Sequence, residues 1–216
     1  MQFGRRRAIL PIDSVSGGTW IAVNDGGLAM TILNANPTAQ PMGGKSSRLS
    51  RGTIIPSLLH CDGMPQALEF AAELKPADFP PFRLVLLNRS ELAEWRSDGT
   101  RLELVTQQPV AAPVMFTSSG LGDDLVEGPR RKLFEETLRH ADDWVAEQEA
   151  FHRHQWPDRP HLSVRMRRQD ARTVSHTVVT LSENAVSMSY FPVDADQAAR
   201  PVALSIEMSR LHGGEK

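Results

Sequence analysis

The chain has 216 residues, 40% of them apolar and 23% charged, with a net charge of −2 at neutral pH and a pI near 6.4. That length allows one substantial core or two small ones, and the balanced charge gives no global pull toward nucleic acid or an anionic membrane. A single cysteine, Cys61, excludes an internal disulfide framework and a cysteine-based zinc site.

Residues 1–16 read as a basic leader around Arg5, Arg6 and Arg7, with no apolar stretch behind them to make a signal peptide. No apolar run approaches the roughly 18 residues of a membrane-spanning helix, so the default location is cytoplasmic. The stretch that organises the rest is 17–34. Two apolar runs, 20–23 and 28–33, flank Asn24-Asp25-Gly26-Gly27, residues that reach positive φ at low cost, so a tight β-hairpin is expected.

A Pro-, Gly- and Ser-rich loop follows over 36–51. Residues 54–60 and 65–74 read as helices, the second with an apolar stripe of Ala67, Leu68, Ala71, Ala72 and Leu74. Pro76, Pro80 and Pro81 stop it. Strands are expected at 82–88, 91–96, 101–105 and 114–118, the middle pair joined by the Asp98-Gly99 turn.

Gly128-Pro129 precedes the longest helical pattern, 130–151, with Leu133, Phe134, Leu138, Ala141, Trp144, Val145 and Gln148 on one face. After a polar linker come strands at 172–181 and 185–191, rich in Thr, Val and Ser, and a last one at 202–208. Residues 209–216 read as a flexible tail. Antiparallel hairpins with segregated helices predict an α+β layered fold, and 1–216 reads as one domain.

The segments Gly17-Gly18-Thr19-Trp20-Ile21-Ala22-Val23-Asn24, Leu33-Asn34, Ser50-Arg51-Gly52, Phe82-Arg83-Leu84-Val85-Leu86 and Trp95-Arg96-Ser97-Asp98-Gly99 resemble the NRDE-motif family. That family is also called the transport-and-Golgi-organisation protein 2 family. The stretch from Arg172 to Val179 resembles the end of its bacterial members, so the likeness covers nearly the whole chain in order. The resemblance implies the four-layer αββα sandwich of N-terminal-nucleophile hydrolases, with antiparallel sheets and flanking helices. In those enzymes an N-terminal cysteine attacks, its own α-amine is the base, and asparagine amides hold the oxyanion.

This sequence departs from the pattern at its start. Only 16 residues precede Gly17, and none is Cys or an Asn-Arg-Asp-Glu run. Either the first hairpin is lost or the reading frame opens upstream. Cys61 does not substitute, because it falls in an expected helix and has no free amine.

Asn34, Ser118 and Ser119 are the candidate oxyanion donors. Capping a strand and opening the Asn-Ala-Asn-Pro turn is the plainer role for Asn34, and making a turn the plainer one for the serines. Gly17, Gly18, Thr19, Trp20 and Arg51 are the candidate ligand-binding set, Arg51 for an anionic group at a helix start. Packing is the plainer role for Trp20, and solvation for Arg51. A Gly18–Thr19 self-cleavage would free a threonine amine, but relatives carry this junction uncut.

Residues 39–46 match a loose phosphate-loop pattern without the helix it needs. His140, His152, His154 and His161 gather near the linker, but His152 and His154 are two apart and would point away from each other on a helix; no metal or cofactor is expected. Arg165, Arg167 and Arg168 lack interleaved aromatics, so nucleic acid is not expected.

The favoured expectation is a noncatalytic domain binding a small or amphiphilic ligand, haem or an acyl compound, through what the resemblance implies. The alternatives are an amidohydrolase whose nucleophile lies upstream, and a homodimer formed through an exposed sheet edge.

Overall fold

The computed structural model describes residues 1–36, 49–139, 141–193 and 201–209. The phosphate-loop-like stretch and His140 lie outside the described residues. The expected hairpin forms. β3 (Ile21–Asn24) and β4 (Ala29–Asn34) pair antiparallel, with Ile21 opposite Thr31 and Val23 opposite Ala29. Gly27, at φ 77°, supplies the left-handed turn residue.

The turn is held from inside. The Asn24 amide nitrogen donates to Leu59 O at 3.1 Å and Cys61 O at 2.8 Å. Its oxygen accepts from Gly26 N and Leu28 N. A fully satisfied, buried amide thus links the hairpin to the helices beneath it.

The basic leader is built into the sheet. β1 (Gln2–Phe3) and β2 (Arg6–Ile9) precede β3, and β2 pairs with it through Ala8 and Asn24. Beyond β4 the sheet continues through β5 (Phe82–Leu87), β6 (Glu91–Ser97) and β7 (Leu102–Pro109), giving seven antiparallel strands in sequence order. Side chains alternate across such a sheet. One face, with Ala22, Met30, Leu84, Leu86 and Trp95, packs on α1 (Ile54–Leu58) and α2 (Met64–Ala72). Each fully buried Ile or Leu there contributes about 1.5–3 kcal/mol.

The opposite face meets a second antiparallel sheet of β8 (Ser175–Leu181), β9 (Ala185–Pro192) and β10 (Val202–Glu207). Ile9, Val23, Ala29, Val186 and Met188 form this smaller core. α3 (Asp123–Leu138) and α4 (Trp144–Arg153) pack together, with the Phe134 and Phe151 rings edge to face at 5.5 Å, and flank the second sheet beside β8. The chain is α+β, with antiparallel sheets and flanking helices.

Three local expectations are corrected. The helix expected over 130–151 is two helices, because Asp143 accepts from Val145 N and Ala146 N and caps a new start. α3 also begins before Gly128-Pro129, at Asp123 and Asp124, whose charges suit a helix N-terminus, and contains Pro129. Residues 114–118 are loop rather than strand, turned toward the helices instead of a neighbouring strand. Cys61 lies in the connection between α1 and α2, not inside a helix, where Asp62-Gly63 separates them.

Candidate functional site

The gap between the sheets widens beside α3 and α4 into a cavity of about 540 Å³. Ile21, Thr31 and Leu33 form its floor from β3 and β4, and Thr177 and Val179 project from β8. Residues 110–116, Phe134, Leu138, Trp144 and Phe151 complete a largely apolar wall. One buried polar atom in that wall, Thr177 Oγ1, has no hydrogen-bond partner among the described residues. His152, also in the wall, donates from Nδ1 to Gln148 O at 2.8 Å in the matching tautomer, and its Nε2 has no hydrogen-bond partner among the described residues.

The other face of the same hairpin carries a second depression. Gly18, Thr19, Trp20, Asn34 and Arg51 line an open groove of about 270 Å³. Most of the sequence-predicted set therefore converges. Gly17 stands beside the groove at φ 68°, in a turn closed by its N–H to Asp13 O. The Thr19 hydroxyl is committed to Ile21 O at 2.9 Å. Trp20 is 38% exposed, and its carbonyl accepts from Thr31 Oγ1 and Ile32 N. Arg51 donates to Pro81 O at 2.8 Å, and burial lowers its pKa.

Ser118 and Ser119 are not brought to Asn34's groove. Ser118 O and Thr117 Oγ1 accept from Arg130, and Ser119 N donates to Asp123 Oδ1. These residues fasten the loop before α3. Burial pushes the Cys61 thiol up to about 11, so it stays protonated at neutral pH, and its side chain is fully buried in the core. Among the described residues, no group of three or more His, Cys, Asp or Glu side chains is placed to hold a metal ion. No described helix is long and apolar enough to cross a membrane.

Two features escaped sequence reading. Of the apolar stripe expected on one helix face, Phe134, Leu138, Trp144 and Gln148 wall the cavity, whereas Val145 is exposed. Arg5 and Arg6 converge on Asp62, while Arg6 and Arg7 flank Asp25, which is 1% exposed. Burial opposes ionisation of Asp25, yet hydrogen bonds from Ser209 and Arg7 and the charge of Arg6 hold its carboxyl below the usual range.

The family model described as Transport and Golgi organisation 2 matches residues 5–190. Comparison with curated proteins gives no match. Among solved structures, the chain is similar to penicillin V acylase from Agrobacterium tumefaciens at 16% identity, over 91% of this chain and 69% of that one, with a TM-score of 0.47.

Proposed function

The chain belongs to the Transport and Golgi organisation 2 family, and from that premise we propose that this member binds a small amphiphilic ligand between its sheets without hydrolysing it. The apolar cavity carries the reading. Its 540 Å³ lies within the roughly 300–1,000 Å³ of small-molecule sites, which pair apolar walls with a few polar groups. Thr177 Oγ1 supplies one such group.

An acyl compound suits these walls, because each methylene removed from water contributes about 0.8 kcal/mol. A series of straight-chain carboxylates tests this. Affinity rises about fourfold per added carbon until the cavity fills, then levels off. Affinity that does not depend on chain length ends the acyl reading. Haemin is the second arm of the same titration, since the Nε2 of His152 is a lone-pair donor in the wall. An unchanged haemin spectrum removes that arm.

A second reading is favoured by the groove, where the Asn34 amide and the Arg51 guanidinium line one opening. It is an amidohydrolase whose nucleophile is encoded upstream, with Asn34 as oxyanion donor. Sequencing the DNA before Met1 tests it; an in-frame stop codon directly upstream ends it.

A further inference from the structure

On the other side of α4's His152 lies a smaller pocket of about 210 Å³ with a different character. Arg153, Arg165 and His152 line it together with His176. Arg153 pairs with Glu149, whereas Arg165 makes no ion pair among the described residues. The His176 ring lies flat on Phe191, with centroids 4.4 Å apart and planes 5° apart. Its buried Nε2 has no hydrogen-bond partner among the described residues. Burial pushes the His176 pKa down, and the charges of Arg153 and His152 push the same way, outweighing Glu149. Among the described residues, the pocket thus gathers two guanidiniums around one opening, and that of Arg165 makes no ion pair.

Such groups recognise oxyanions, because a guanidinium presents paired N–H donors that match a carboxylate or phosphate. His152 is common to this pocket and the apolar cavity. We infer that the pocket binds the carboxylate or phosphate head of the ligand whose apolar body fills the cavity. The inference rests on the binding reading above and narrows it to anionic amphiphiles. The partial neutralisation of Arg153 makes Arg165 the principal anchor.

The test compares decanoate, decyl phosphate and 1-decanol on the full chain by displacement of a bound fluorescent fatty acid, with inorganic phosphate as a chain-free probe. The anionic ligands bind about tenfold or more tighter than 1-decanol, as expected for charge-assisted hydrogen bonds. Arg165→Gln removes that preference and leaves 1-decanol affinity and the melting temperature unchanged, which shows that the variant is folded. Equal affinity for decanoate and 1-decanol overturns the inference and leaves the cavity reading standing. Failure of all three chains to bind overturns both. Saturable inorganic phosphate binding that does not compete with decanoate marks a free-anion site and overturns the head-group role.

Discussion

Gly18 and Gly52 cross with their backbones in direct contact. A Cβ built on Gly18 would lie 2.8 Å from Gly52 Cα and 2.9 Å from its carbonyl carbon. Thr19 N donates to Gly52 O at 3.0 Å across the same crossing. This crossing seats the turn before β3 against the start of the first helix, and so sets the groove that Trp20 and Arg51 share. Gly18→Ala therefore overpacks backbone against backbone and costs about 1–3 kcal/mol. Gly128→Ala is the control. It sits in α3 with open space around its Cβ, and the change stabilises by up to about 1 kcal/mol. Urea unfolding of the two variants reads the opposite signs.

Asn24→Asp replaces the amide nitrogen with a carboxylate oxygen facing the carbonyls of Leu59 and Cys61. Two acceptors then oppose an acceptor in a site that is 0% exposed. The variant loses roughly 3 kcal/mol. Part of the loss returns at low pH, where a protonated carboxyl donates one bond. Chemical denaturation at two pH values measures both effects.

Asp25 makes stability depend on acid. Its folded pKa lies below that of a free aspartate, so its contribution is fully present above about pH 5. That contribution is lost as the pH falls through the folded value. Asp25→Asn flattens this acid limb of the stability curve. It also costs roughly 3 kcal/mol at neutral pH, because Arg6 and Arg7 lose a buried partner. Thermal melts from pH 2 to pH 7 give both numbers, and an unchanged acid limb contradicts the assignment.

Much of the architecture is legible where one local signal decides it. Asn24-Asp25-Gly26-Gly27 can only turn, and the apolar runs on either side of it mark β3 and β4. Gly18 and Arg51, singled out through the resemblance, belong to segments far apart in sequence that the fold brings to one groove. The cavity was not legible. The stripe of Phe134, Leu138, Trp144 and Gln148 has the same periodicity whether it meets a filled core or an empty space. The break at Asp143 was hidden for a related reason: a capping aspartate inside an apolar-periodic run resembles one more surface charge. The long-range pairing of Arg6 with Asp25 and Asp62 leaves no periodic trace at all.

Binding between the sheets would place the ligand against one face of the hairpin. Methyl NMR of the labelled chain during decanoate titration tests it most directly, because adjacent residues on β3 and β4 report opposite faces. Ligand between the sheets shifts Ile21, Leu33, Leu138 and Val179 while Ile32, in the groove, stays still. Shifts at Ile32 with a silent Leu33 and Val179 would contradict it.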